Sequence, residues 1–129
     1  MTLQIPVEKM AGYREGLRRR LNKPLTADEE NALETARGEA RQMAERLVKQ
    51  HGAKRVILFG SVAQKRRLRR DSDIDLAVEG MPAENFYKIV GDLRTDNGRA
   101  VDLIRLETAR ESLRKIIMLE GVELSRDGI

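Results

Sequence analysis

Apolar residues recur along this chain in two rhythms. Between Thr26 and Gly52 they fall at helical spacing: Leu33, Ala36, Ala40, Met43, Ala44, Leu47 and Val48. Thr26 and Glu29 are spaced as a capping box, and His51 and Gly52 mark the far end, so the pattern predicts a long amphipathic helix. In the run "RVILF" (55–59), Val56 to Phe59 are apolar on successive residues and too few for a helix between Gly52 and Gly60, which predicts a strand buried on both faces. "DIDLAV" (73–78) predicts a second strand, and "AVDLI" (100–104), after the turn "RTDNGR", a third. From Pro82 to Leu93 a helix is expected, with Phe86, Ile89, Val90 and Leu93 on one face. A last helix is expected from Glu107 to Glu120, with Leu113, Ile116, Ile117 and Leu119 turned to the core and Gly121 ending it. Upstream, Val7, Met10, Ala11, Leu17 and Leu21 suggest a first short helix, opened by Pro6 and broken near Asn22 and Pro24. The order helix, helix, strand, strand, helix, strand, helix predicts an α+β or α/β class with a small mixed sheet.

A chain of 129 residues is most economically one domain. We expect a helical region over 1–52 packed on the same domain as a core over 53–129. Hydrophobic residues at 40% are too many for a disordered chain, while 36% charged residues require a heavily charged surface. There is no cysteine, which excludes disulfides and thiolate metal sites. The N-terminus lacks a basic start followed by an apolar run, and no stretch approaches the roughly 18 apolar residues of a membrane span. A cytoplasmic location without membrane association is therefore the expectation. The net charge of +4 favours anionic partners only weakly.

The chemistry concentrates between residues 57 and 78, "ILFGSVAQKRRLRRDSDIDLAV". Side chains alternate faces along a strand, so Asp73 and Asp75 project the same way while Ile74 and Leu76 point to the core. Asp102 is the one charged residue in the apolar third strand, and a charge there needs a partner. If the two strands are neighbours, Asp102 joins Asp73 and Asp75 in a cluster of three carboxylates, an oxygen-only ligand set that suits Mg²⁺ or Mn²⁺. Gly60 and Ser61, at a strand-to-turn junction, offer a hydroxyl and backbone N–H groups for phosphate oxygens.

Plainer readings compete with each of these. A Gly-Ser pair after a strand is commonly only a turn. A calcium loop starting at Asp71 would need glycine at its sixth position and glutamate at its twelfth, where this chain has Leu76 and Pro82. A solvated acidic turn neutralised by Arg69 and Arg70 is the commoner fate of mixed charge, but it leaves Asp102 unexplained. "KRRLRR" (65–70) reads about equally as a solvated loop and as a triphosphate or RNA contact. Arginines 18–20 read as surface, and His51 as a helix-end residue favoured by the helix dipole.

Taken as a set, Gly60-Ser61, the twelve residues 61–72 between Gly60 and Asp73, the "DID" of Asp73 to Asp75 and the later "VDLI" with Asp102 resemble the signature of the polymerase β-like nucleotidyltransferase superfamily. The wording "DSDIDLAV" and the tail "LRKIIMLEGVEL" resemble the minimal nucleotidyltransferases (MNT), which include the MntA antitoxins paired with HEPN toxins. The similarity spans roughly residues 53 to 124. It implies an α+β fold, with Gly60 and Ser61 holding the β and γ phosphates of ATP. It also implies that Asp73 and Asp75 bind two Mg²⁺ ions, and that Asp102 binds one of them and assists deprotonation of the attacking hydroxyl. The implied product is an AMP-modified tyrosine on a HEPN toxin partner, which would make the protein an antitoxin. Family members often continue the turn as Gly-Ser-Arg-Ala-Arg-Gly, whereas this chain has "GSVAQK", so Lys65, Arg66 or Arg67 is expected to supply the missing positive charge. Neutralisation of a partner by contact alone, or transfer to RNA or a small molecule on the same core, stays open. Nucleic acid is not the favoured partner, and homo-oligomerisation is left open.

Overall fold

The computed structural model describes residues 24–64 and 73–126. The predicted first helix and the basic residues Lys65, Arg66, Arg67, Arg69 and Arg70, together with Asp71, lie outside the described residues. The order is helix α1 (Ala27–His51), strand β1 (Arg55–Phe59), a one-turn helix α2 (Gly60–Ala63), β2 (Ile74–Glu79), α3 (Ala83–Ile89), β3 (Val101–Arg105), a 3₁₀ turn (Leu106–Thr108), α4 (Glu111–Glu120) and β4 (Val122–Arg126).

Helix α1 starts where the capping box places it. The Glu29 N–H donates to Thr26 Oγ1 at 3.1 Å and the Thr26 N–H to Glu29 Oε1 at 3.3 Å, which satisfies donors the first turn leaves without partners. It ends on Gly52 in the left-handed conformation, φ 79°, with the Gly52 N–H returning to the helix. Its predicted stripe is the buried one: Leu33, Ala36, Ala40, Met43, Ala44 and Leu47.

The four strands form one mixed sheet in the order β3-β2-β1-β4. β1 runs antiparallel to both of its neighbours, and β2 lies parallel to β3, joined through α3 as a parallel pair requires. The class is therefore α+β with a small mixed sheet, as expected. Alternation along the strands divides the apolar residues between two faces. Val56, Leu58, Ile74, Leu76, Val78, Val101 and Leu103 pack with α1 and with Phe86 of α3. Ile57 and Ala77 pack on the other side with Leu106, Ile117 of α4, Phe59, Ile104 and Leu113. This explains why Val56 to Phe59 are apolar without a break: β1 is central and covered on both sides, while Arg55 at its start pairs with Glu123.

Four expectations need correction. Helix α3 ends at Ile89, because Val90 turns to extended backbone and Gly91 to φ 101°; Leu93 still reaches the core, but from the loop. The last helix begins at Glu111 rather than Glu107, since Leu106–Thr108 closes as a 3₁₀ turn and Ala109 is extended. Of its four expected core residues only Ile117 is buried: Leu113 is partly covered, Ile116 is half exposed and Leu119 is 84% exposed. A ten-residue helix lying on a four-stranded sheet contacts it along a narrow stripe, so the flanking apolar positions stay outside. Val122–Arg126, left out of the expected element order, is a full edge strand, β4.

Candidate functional site

Sheet register assembles the site. Phe59 pairs with Asp75 across the antiparallel β1–β2 ladder, and Asp75 pairs with Asp102 across the parallel β2–β3 ladder. Adjacent strands lie about 4.8 Å apart and paired residues share a face, so Asp75 and Asp102 stand side by side on the α4 face of the sheet. Asp73 immediately precedes β2 and is exposed. The dependence of Asp102 on neighbouring strands, an expectation from sequence, is met by this pairing.

Gly60 follows Phe59 and turns the chain back over Asp75. Its φ is 74°, where side-chain-bearing residues are strained. A β-carbon there would run into the Asp75 carboxylate, whose Cγ it would meet at 3.2 Å. Gly60 is thus required by conformation and by contact, a narrower role than that of a generic turn residue. Ser61 follows within α2, so its hydroxyl and the Gly60–Ser61 backbone begin a turn that touches the acidic strand.

The electrostatics of the cluster are those of crowded like charges. Asp75 is half-buried, and its carboxyl is pushed up from 3.8 to about 6, first by burial and then by the charges of Asp102 and Asp73. A divalent cation would relieve both causes, and the donors are all carboxylate oxygens, the chemistry that Mg²⁺ and Mn²⁺ prefer. The residues therefore fit a hard cation. Among the described residues no group of three or more His, Asp or Glu side chains stands close enough together to hold a metal ion by itself, so Asp73, Asp75 and Asp102 form an open cluster. Such an open cluster suits an ion that takes the rest of its shell from phosphate oxygens and water. Lys65 and Arg66, the expected phosphate-binding cations, lie outside the described residues.

The structure also brings residues to the site that the sequence did not mark. Arg37 of α1 donates from Nε to the Val62 carbonyl at 3.3 Å and from Nη2 to the Ala63 carbonyl at 3.0 Å. Gln64, just after α2, donates from its side-chain amide to Glu120 of α4. Glu39 is 6% exposed and pairs through Oε2 with Arg99 Nε at 2.8 Å, while Thr95 Oγ1 donates to its Oε1 at 3.1 Å. Burial pushes the Glu39 carboxyl up, but hydrogen bonds from Arg99, Asn97 and Thr95 outweigh it and hold the group below its ordinary range. This links α1 to the turn that leads into β3 and hence to Asp102. A cleft of about 560 Å³ lies between Thr35 and Glu39 of α1 and the turn at Asn97–Ala100, with Asp73 at its border. The one hint in the sequence was a glutamate set between Ala36 and Ala40 on an otherwise apolar helical stripe.

Comparison with known proteins agrees with this geometry. A family model described as "Polymerase beta, Nucleotidyltransferase" matches residues 41–127. A solved structure described as that of a minimal nucleotidyltransferase is 32% identical, with 70% of this chain and 93% of that chain covered and a TM-score of 0.56. Two toxin–antitoxin structures share the fold. One is a mutant MntA-HpeT complex, at 22% identity, 68% and 74% coverage and a TM-score of 0.54. The other is a toxin–antitoxin with AMP-PNP, at 24% identity, 70% and 74% coverage and a TM-score of 0.55. No curated protein matches the chain at a significant level.

Proposed function

Because this chain belongs to the polymerase β nucleotidyltransferase family, we propose that it transfers AMP from ATP to a hydroxyl group on a HEPN-type toxin, with tyrosine as acceptor, and so acts as an antitoxin. The observation that carries the reading is the register that stands Asp75 beside Asp102 and under Gly60. In this reading Gly60 and Ser61 hold the β and γ phosphates, as backbone N–H groups and a hydroxyl do for anions. Asp73, Asp75 and Asp102 hold two Mg²⁺ ions, which when bound would sharpen the attacking oxygen and neutralise the departing pyrophosphate. Asp102, more exposed than Asp75, would receive the acceptor's proton in this reading. Positioning the acceptor oxygen in line with the leaving pyrophosphate supplies much of the acceleration. Lys65 and Arg66 take the charge that the turn lacks at Val62.

The toxin partner is supported by the two solved toxin–antitoxin relatives, and ATP by the AMP-PNP held in one of them. Exposed apolar residues on α4, Ile116, Met118 and Leu119, favour a second component of the same biology: a partner surface that contributes inhibition by contact. The two components separate in one experiment. The chain is incubated with α-labelled ATP, Mg²⁺ and a co-expressed HEPN candidate, beside Asp73→Asn and Asp102→Asn variants. Label appearing on the candidate's tyrosine with the native chain and not with the variants is the expected result. Undiminished toxin inhibition by both variants with no label transferred would replace the enzymatic reading with neutralisation by contact.

A further inference from the structure

Helix α1 approaches the sheet on alanines. Ala36 and Ala40 are completely buried, and their small side chains let the helix backbone lie close to the strands. At about 100° per residue, Arg37 and Glu39 flank that line of contact on opposite sides. Glu39 reaches toward the turn before β3, and Arg37 reaches toward α2. The Arg37 contacts span 25 and 26 residues of sequence, so local chain geometry does not impose them.

The element Arg37 grips cannot hold its own shape. Helix α2 has four residues, and the Gln64 N–H to Gly60 carbonyl bond at 3.1 Å closes its single turn. The carbonyls of Val62 and Ala63 lie at its end, where a helix leaves acceptor capacity unused; within the turn only the Gln64 N–H, shared with the Gly60 carbonyl, reaches that of Val62. A guanidinium donates to both from a planar fork and brings positive charge to the negative end of the turn. Gln64 and Glu120 tie the same segment to α4 from the other side of the sheet. The angle at which Gly60 and Ser61 are presented above Asp75 is therefore set from outside the turn.

We propose that Arg37 is a positioning residue for the triphosphate end of the nucleotide: by holding the Val62 and Ala63 carbonyls it orients the Gly60–Ser61 backbone toward the β and γ phosphates. This rests on the reading of Gly60–Ser61 as the phosphate-holding turn. A lysine could reach one carbonyl but not fork across both, so the role calls for arginine.

The test compares two probes, AMP-PNP and AMP, titrated calorimetrically in Mg²⁺ against the native chain, Arg37→Gln, Arg37→Lys, Ser61→Ala and Arg41→Gln. Arg41 lies on the same helix, with a largely exposed side chain and only a 3.9 Å ion pair to Glu34, and serves as control. Arg37→Gln is expected to weaken AMP-PNP by about tenfold and to leave AMP within about twofold, with Arg37→Lys in between and Arg41→Gln unchanged. A general loosening of the fold would weaken both probes alike, so equal losses, or an unchanged AMP-PNP affinity, overturn the proposal. If Arg37→Gln does not fold, the same selectivity in Arg37→Lys decides the matter. Ser61→Ala separates the two levels of the argument. Selective loss of AMP-PNP there with silent Arg37 variants removes only the positioning role, whereas a silent Ser61→Ala removes the phosphate-turn reading and the proposal with it.

Discussion

Replacing Asp75 with asparagine should stabilise this protein at neutral pH while abolishing its activity. Folding moves the Asp75 carboxyl from 3.8 to about 6 because the site is partly dry and faces Asp102 and Asp73. The folded chain therefore binds this proton more tightly than the unfolded chain. The stabilising contribution is complete below about pH 3.8 and is lost as pH rises through about 6, so at pH 7 to 8 the ionised group opposes folding. A shift of about two units corresponds to at most about 3 kcal/mol. Asp75 is only half-buried, and solvent screening reduces this to about 1 kcal/mol. The assay is thermal unfolding in EDTA at several values between pH 4 and pH 8, native chain against Asp75→Asn. The variant should melt about 3 to 5 °C higher at pH 8, and the gap should close toward pH 4. A variant less stable than the native chain at pH 8, or a gap that does not change with pH, would show that crowding of the three carboxylates does not strain the fold.

Other outcomes follow from the same contacts. Adding Mg²⁺ should raise the melting temperature of the native chain at pH 8, by about 1.4 kcal/mol of stability at ten times the dissociation constant, and should have much less effect on Asp75→Asn; equal shifts in the two proteins would place the cation elsewhere. Gly60→Ala forces a side chain into positive φ and against the Asp75 carboxylate, so urea unfolding should register a loss of about 1 to 3 kcal/mol, and AMP-PNP binding should fall. Glu39→Gln removes the charge from the buried carboxylate that accepts from Arg99 and Thr95, and should cost about 1 to 3 kcal/mol by urea unfolding; a neutral result would mean that these charge-assisted hydrogen bonds contribute nothing net.

The parts of the fold legible in the sequence are those whose cause is local. The Thr26–Glu29 capping box, the alanine-rich stripe and Gly52 define α1 without reference to the rest of the chain. The apolar run Val56–Phe59 in β1 announces a central strand because it is too short for a helix and needs cover on both faces. Asp102 stood out as a charge in an apolar strand, and its pairing with Asp75 needed only the prediction that the strands adjoin. What escaped is set at a distance. β4 is short and half polar, and it becomes a strand because β1 offers it an edge. Leu119 and Ile116 carry the periodicity of a core face but find no neighbouring element to cover them. Arg37 resembles any other charge on a helix until α2 is brought against it, since a hydrogen bond across 25 residues leaves no periodic trace.

The sheet order has a consequence for the nascent polypeptide. β1 lies between β2, which follows it closely in sequence, and β4, which is among the last of the described elements to be synthesised. On the ribosome, Val56, Ile57 and Leu58 must wait with one strand edge bare until Val122 to Ser125 emerge. Truncation before Val122, or a stalled ribosome, would leave an apolar ribbon open to pairing with other chains, so insolubility is the expected fate of such fragments even though every proposed catalytic residue would already be present.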